Sequence, residues 1–351
     1  MSILKNKHIT QKSGVTIISP LSPIKTTKVY DTYWKFAALR QEAFFNKIEN
    51  KDYPWSKDSI INTYRFTNAY RAADRVSQYL IRHVIYEPEF SESPNEVLFR
   101  ILLFKLFNKI DTWELICSQV GEPTFEHYDF NKYNEILNEA FIAGETIYSA
   151  AYIMPSVKSS FGYLRKHSNH LKLIELMLNS NIAEKLSEAR NMQVAFEIIK
   201  SFPGLGNFLA YQLLIDINYS KIINFSESEF VMPGPGALGG ISKCFTDTAG
   251  LNEKEIIKMV TDRQELEFER LGLSFKSLWG RELQLIDCQN LFCEVDKYSR
   301  VKHPEITGNS KRTRIKQKYK RNTKTIEDYW FPPKWHLNHR ILVKINHQNQ
   351  L

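Results

Sequence analysis

The segment FPGLGNFLAYQLL, residues 202–214, places a Pro-Gly-x-Gly turn directly before an apolar run. Glycine lets a backbone come close to a partner, and the first amides of a helix carry partial positive charge that suits a phosphate. The pattern predicts a helix-hairpin-helix near residues 191–217, in which Gly204, Gly206 and Asn207 contact a nucleic-acid backbone. The alternative is an ordinary packing corner between two helices, since Gly-x-Gly turns are common.

A run of positive charge near the C-terminus also favours a nucleic-acid partner. Eight cations lie between positions 311 and 324 with no acidic residue among them, and they account for the whole formal net charge of +8. Such a run can neutralise several phosphates and makes binding sensitive to salt. The alternative is a solvated tail. The cations predicted to contact DNA are Lys311, Arg312, Arg314, Lys316, Lys318, Lys320 and Arg321, and Lys324 ends the run.

Length and composition exclude several classes of protein. With 351 residues, of which 43% are hydrophobic, the chain can bury a large core in one domain or two lobes. No apolar run approaches the roughly 20 residues of a membrane helix, and the first residues lack a long apolar signal core. We therefore expect a soluble intracellular protein. The four cysteines are scattered and complete no zinc or iron–sulfur set, so we expect core thiols, no metal and no cofactor.

The hydrophobic periodicity is typical of helices along most of the chain, and it predicts an all-α body. Short extended pieces are expected only at residues 15–18 and 148–154. We divide the chain into an N-terminal extension (1–29), a helical domain (30–302) and a basic tail (303–351) that wraps or extends. The predicted helices span residues 33–48, 56–83, 97–110, 132–144, 157–178, 191–200, 207–217, 253–271 and 283–298, with a restart at 111 and a capping box at 93–96.

One polar and aromatic cluster lies within the predicted helix at 56–83. Helical spacing would put Tyr64, Asn68, Arg71, Arg75 and Gln78 on one face. Arginine can hold a phosphate in a bidentate fashion, and amides can read a base edge. The face therefore predicts a substrate-binding surface, and the alternative is an internal network between these arginines and nearby carboxylates.

A glycine-rich segment follows two carboxylates at residues 226–241. Four glycines and two prolines within eight residues predict a tight loop whose amides, with Gly234 and Gly236, bind an anion. Glu227 or Glu229 beside such a loop could act as a general base. The segment lacks the Gly-Lys-Ser/Thr ending of a P-loop, and a plain connecting loop is the alternative.

A third cluster, CEVDKYSR at residues 293–300, is expected near the end of a helix. Spacing places Lys297 and Tyr298 near Glu294, which suggests a further substrate contact. The alternative is a set of salt bridges within the helix.

These motifs together resemble one known family. The stretches YRFTNAYRAADRV (64–76), the Pro-Gly-x-Gly hairpin, FVMPGPGA (230–237) and CEVDKY (293–298) are similar to the helical domain of 5-hydroxymethyluracil DNA kinases. That family overlaps with the α-glutamyl/putrescinyl thymine pyrophosphorylases of phage DNA hypermodification. The resemblance covers roughly residues 30–300.

The resemblance implies a fold related to helix-hairpin-helix DNA glycosylases, in the cytoplasm of a bacterial or phage-infected cell. The implied partner is double-stranded DNA that carries a phosphorylated or pyrophosphorylated 5-hydroxymethyluracil. An amino acid or polyamine would replace the leaving group of that base, and the base would have to leave the duplex. Glu229 and Glu227, with Asn68, Arg71 and Arg75, are then the first candidates for the pocket.

The chain also departs from the glycosylase pattern. Phe208 stands where bifunctional glycosylases place a lysine nucleophile, and Ser226 stands near the position of the catalytic aspartate. Three hypotheses remain. The chain is a transferase on an activated modified thymine, a glycosylase for an abnormal base, or a non-catalytic module that presents DNA to a separate P-loop kinase.

Overall fold

The computed structural model describes residues 7–12, 15–20, 23–49, 51–150, 154–321 and 328–341. The prediction of an all-α fold is confirmed, with two small antiparallel sheets, β1 with β2 and β3 with β4. In chain order the strands and α-helices are β1 (Lys7–Lys12), β2 (Val15–Pro20), β3 (Lys25–Thr26), α1 (Lys28–Ile48), α2 (Ser59–Thr63), α3 (Arg75–Tyr79), α4 (Pro94–Phe107), α5 (Ile110–Val120), α6 (Phe130–Ile142), α7 (Lys158–Phe161), α8 (Lys166–Asn179), α9 (Ile182–Ser187), α10 (Met192–Lys200), α11 (Asn207–Ile217), α12 (Pro235–Cys244), β4 (Phe245–Asp247), α13 (Glu253–Asp262), α14 (Gln264–Arg270) and α15 (Leu285–Lys302). A π-helical segment, Leu80–Ile85, follows α3, and short 3-10 turns lie at Arg71–Ala73 and Pro333–Trp335.

The chain forms two compact units. The first unit contains Met1–Arg71 and Pro233–Lys324, and the second contains Ala72–Met232 and Thr325–Leu351. Each unit has its own apolar core, built around α1, α12 and α15 in the first and around α4, α8 and α11 in the second. Within the described ranges, no helix is long and apolar enough to cross a membrane.

The first unit is organised by the close contact of α12 with α15. Three glycines of α12 face α15, and a Cβ atom added at Gly240 would lie 2.0 Å from the carbonyl oxygen of Phe292. A Cβ at Gly236 would lie 2.2 Å from the Sγ atom of Cys293. Because these positions carry no side chain, the two helix backbones can approach one another.

The sequence predicts a tight loop for the glycine-rich segment, and that loop is wrong, whereas anion binding by Gly234 and Gly236 stays a prediction. Residues 235–244 form α12, with Gly234 as its N-cap and Pro235 at its first position. Proline suits the first turn of a helix because its missing N–H is not needed there. The glycines of α12 serve helix packing. Their backbone amides from the second turn onward are engaged in helical hydrogen bonds.

A buried ion pair joins the same two helices. The Nζ atom of Lys243 lies 3.0 Å from Oδ1 of Asp296, and both side chains are almost fully buried. Lys243 also donates to the Asp296 carbonyl at 2.9 Å, and Arg300 pairs with the other oxygen of the Asp296 carboxylate. A buried charge is tolerated when it is paired and hydrogen-bonded in this way.

In the second unit, α4 is the central helix. It is apolar on all sides and packs on α8 and α11. Lys105 on α4 and Asp216 on α11 form an ion pair of 2.6 Å, with the carboxylate almost fully buried. The pair fixes α11 against the core helix.

The prediction of a single helix at residues 56–83 is wrong. α2 ends at Thr63, and Tyr64 forms an antiparallel bridge with Lys318. Backbone hydrogen bonds of 3.0 Å flank the bridge on both sides. Since another part of the chain satisfies these backbone groups, a helix is not needed to do so. The expected single polar face is therefore not formed.

Other boundaries differ in smaller ways. Gly162, at φ +81°, separates α7 from α8 where one helix was expected. Pro94 begins α4 as predicted, but Glu96 accepts from amides of residues 125 and 126 instead of closing the capping box. The expected strand at 15–18 lies within β2. The expected extended piece at 148–154 has no strand at 148–150 or 154, and residues 151–153 lie outside the described residues.

Candidate functional site

The hairpin turn, residues 201–206, connects α10 to α11 in the second unit. α11 begins at Asn207, as the sequence predicted, and its N-cap is Gly206. Gly204 adopts φ +76°, and a Cβ there would lie 2.3 Å from Cγ1 of Val157. A Cβ at Gly206 would meet nothing within 4 Å. Gly204, Gly206 and Asn207 are all exposed, so the turn offers its backbone to a partner.

The segment that follows α11, residues 225–230, is held at both ends and is here called the acidic segment. Asn218 exchanges two hydrogen bonds of 3.0 Å with the backbone of Phe225. Tyr211 donates to the carbonyl of Phe230 at 3.3 Å. The ring of Phe230 packs against Phe196 of α10 and Tyr211 of α11, at 5.1 and 5.9 Å. The hairpin helices therefore position the acidic segment.

The two candidate bases differ in accessibility. Glu227 is 5% exposed, whereas Glu229 is exposed. A general base has to reach the proton that it removes. Glu229 meets this requirement in the described conformation, and it lies directly before the anchored ring of Phe230.

The candidates on α15 are engaged within the first unit. Lys297 pairs with Glu294 at 2.8 Å, one turn away on the same helix. Tyr298 donates to Oδ2 of Asp58 at 2.8 Å, and burial raises the pKa of Tyr298 well above its usual value. These contacts match the alternative of a salt-bridge set and stabilise the junction of α15 with α2.

The remaining polar candidates do not converge on one face. Asn68 accepts a hydrogen bond of 3.0 Å from Arg40. Arg71 is 3% exposed, and its backbone amide donates to Asp287 at 2.8 Å. Arg75 begins α3 in the second unit and is exposed. Of these residues, Arg75 is the one whose unit also contains Glu227 and Glu229.

The basic segment, residues 311–321, lies in the first unit. Its seven cations are exposed, and Lys324 lies outside the described residues. Tyr319 stacks on Tyr53 with ring centroids 6.3 Å apart, and Arg321 lies over the rings of Tyr53 and Trp55. Together with the bridge at Tyr64, these contacts order the segment while its charges face solvent.

No sequence pattern predicts the row of buried polar residues at the start of α8. His167 contacts Asn138, and Ser168 donates to an amide oxygen of α6. His170 contacts both the hydroxyl of Tyr148 and the carbonyl of Pro155. Burial lowers the pKa of His170 to about 4, so the ring is neutral at pH 7. These partners are distant in sequence, and periodicity does not reveal them.

Comparison with known proteins identifies the family. Residues 27–308 match the family described as 5-hmdU DNA kinase, helical domain. The chain belongs to this family. It is also 28% identical over 286 residues to a 5-hmdU DNA kinase of Bacillus phage SP10, an alignment that covers 77% of this chain and 45% of the relative. The chain thus spans about half the length of the curated relative that it matches. No solved structure matches the chain.

The match to the 5-hmdU DNA kinase helical domain covers some candidate surfaces and not others. The hairpin turn, the acidic segment and α15 all lie within it. The basic segment lies beyond residue 308, where the match ends. The charge of that segment is therefore an addition to the matched domain.

Proposed function

We propose that this protein binds duplex DNA and acts in the modification of 5-hydroxymethyluracil within it. The observation that carries the proposal is the exposed hairpin turn at the start of α11, in a chain of the 5-hmdU DNA kinase helical domain family. The turn would hold a phosphate with the first amides of α11. The exposed cations of the basic segment would add salt-sensitive contacts to further phosphates.

In the catalytic form of the proposal, Glu229 is a general base. An amine would attack the exocyclic methylene carbon of a phosphorylated 5-hydroxymethyluracil. A C–N bond forms, the C–O bond to the phosphate breaks, and the amine proton passes to the Glu229 carboxylate. Arg75, exposed in the same unit, is the candidate for holding the departing phosphate.

A second candidate function is the presentation of DNA to a separate kinase. It is favoured by the relative of Bacillus phage SP10, a 5-hmdU DNA kinase of which this chain spans 45%. The 351 residues contain no Gly-x-x-x-x-Gly-Lys-Ser/Thr motif to bind a nucleotide. Under this function the chain would bind DNA without changing it.

The intact mass of a DNA substrate distinguishes these functions. The purified protein is incubated with a duplex that carries phosphorylated 5-hydroxymethyluracil, together with a mixture of amines and amino acids. We expect replacement of the phosphate by an amine. Loss of the base would identify a glycosylase, and an unchanged mass with DNA binding retained would favour the presenting role.

We expect Asn207→Asp to weaken DNA binding without destabilising the protein. A carboxylate in the first turn stabilises a helix by about 0.5 kcal/mol. The same charge beside a bound phosphate would lower affinity roughly fivefold, since like charges about 4 Å apart in water repel by about 1 kcal/mol. Fluorescence anisotropy with a labelled duplex at low salt measures the affinity, and thermal melting measures stability.

Asn95→Asp is the matched control, because Asn95 is an exposed residue in the first turn of α4. It adds the same charge to the same kind of helix position in the second unit. Equal DNA affinity of the two variants would exclude a phosphate at the hairpin turn.

A further inference from the structure

The segment that joins α7 to α8 holds an apolar side chain in solvent. Leu164 is 87% exposed, the most exposed large hydrophobic residue in the described part of the chain, and the adjacent Tyr163 is 38% exposed. Single exposed apolar residues are common and need no special cause. Leu164 differs because hydrogen bonds to a buried side chain fix the backbone around it.

A buried amide clamps the backbone on both sides of Leu164. Asn169, 1% exposed, accepts from the amide of Tyr163 at 3.0 Å. It also donates to the carbonyls of Tyr163 and Arg165, at 2.9 and 3.1 Å. Three hydrogen bonds from one buried side chain order this turn, so Leu164 projects from a rigid base.

The chain segment that carries the clamp is basic. Residues 146–174 contain no Asp or Glu. Arg165 lies in the turn that carries Leu164, residues 162–165, here called the projecting turn, and Lys158 and Lys166 lie in the helices on either side of it. The guanidinium of Arg165 lies 4.3 Å from the ring centroid of Phe141. In the described ranges, Lys158 and Arg165 make no salt bridge, so their charge is not neutralised by the protein.

The same segment packs against the hairpin turn. Val157, directly before α7, adopts φ +45°, which a β-branched residue rarely does. Its side chain fills the space beside Gly204, where a Cβ would lie 2.3 Å away. The carbonyl of Pro155 is held at 2.8 Å by His170. The strained backbone and these contacts couple the projecting turn to the proposed phosphate site.

We propose that Leu164, supported by Tyr163, is a wedge that enters the base stack of duplex DNA bound at the hairpin turn. The inference rests on the proposed DNA binding and deepens it. An apolar side chain inserted at a base step partially unstacks the step and kinks the duplex. Unstacking next to a modified base would help that base leave the duplex.

The test is the fluorescence of 2-aminopurine, which rises when the base is unstacked. The probe is a short duplex with one 5-hydroxymethyluracil flanked by 2-aminopurines. We expect the full-length protein to raise the fluorescence and Leu164→Ala to remove most of the rise, roughly fivefold or more, while duplex affinity changes less than about threefold because phosphate contacts remain. Leu164→Phe should retain the rise.

Leu266→Ala is the control, since Leu266 is 60% exposed on α14 of the first unit. It should behave as the wild-type protein does. Salt-sensitive binding without a fluorescence rise, or an equal rise with Leu164→Ala, would overturn the wedge and leave the DNA binding intact. If the wild-type protein does not bind the duplex at all, the proposed function fails and the wedge fails with it.

Discussion

Gly240→Ala is expected to destabilise the first unit strongly. The new Cβ would lie 2.0 Å from the carbonyl oxygen of Phe292, a backbone atom of α15 that no rotamer change can move. The helices α12 and α15 would have to separate, and the buried pair of Lys243 and Asp296 would be stretched with them. We expect the free energy of unfolding to fall by roughly 3 kcal/mol or more.

A loss of stability would itself support the close packing of α12 on α15, because alanine in a helix interior is otherwise favoured over glycine by about 1 kcal/mol. Urea denaturation of the wild-type and variant proteins measures the difference. Gly206→Ala is the control, since nothing lies within 4 Å of its Cβ and its φ of −68° is open to any residue. A Gly240→Ala variant as stable as the wild-type protein would contradict the packing of α12 on α15.

A graded series strengthens the same test. At Gly236 the obstacle is the Sγ atom of Cys293, at 2.2 Å, which is a side chain and can be removed. Gly236→Ala should therefore destabilise the protein less than Gly240→Ala. Adding Cys293→Ala to Gly236→Ala should recover part of the lost stability, because it removes the Sγ atom. No substitution at Phe292 can relieve the clash at Gly240 in this way, because that clash is with the backbone.

The sequence predicted elements whose signals are local. The start of α11 at Asn207 and its end at Ile217 matched the expected bounds, because the Gly206 cap marks the start and the mostly apolar stretch ends at Ile217, before Asn218. The helical class of the fold followed from the same periodicity. The hairpin turn, with Gly204 at positive φ and Gly206 as a cap, has the local conformation that the turn chemistry requires.

Elements that depend on distant partners were not predictable. The glycines at 234–240 look like a loop in sequence, and only the presence of α15 makes them a helix face. The stretch after Thr63 has helical composition, but the strand-like pairing of Tyr64 with Lys318, more than 200 residues away, takes its backbone out of a helix. Asn169 likewise gives no sign in sequence that it clamps an exposed turn.

The residues of the candidate site also differ in how far the sequence predicts their surroundings. Residue type and distance after the hairpin predict Glu229 as a candidate base, and the structure leaves it exposed on an anchored segment. Helical spacing predicts Lys297 and Tyr298 as substrate contacts, but their contacts with Glu294 and Asp58 engage them internally. Spacing predicts which side chains share a face, but not whether the protein itself already occupies them.

Glu229→Gln is expected to abolish turnover while leaving DNA binding intact. The amide keeps the size and exposure of the side chain but cannot accept the proton of an incoming amine at neutral pH. General-base catalysis contributes about a hundredfold to ten-thousandfold, so product from the phosphorylated 5-hydroxymethyluracil duplex should fall by at least roughly a hundredfold. The mass of the DNA reports the product, and anisotropy reports the binding.

Glu188→Gln is the matched control, because Glu188 is an exposed carboxylate of the second unit at the end of α9. It removes the same charge without touching the acidic segment, so its product yield should equal that of the wild-type protein. If Glu229→Gln also gives an unchanged yield, Glu229 is not the base. If both variants gain DNA affinity equally, the gain reflects the removal of one negative charge and carries no information about the acidic segment.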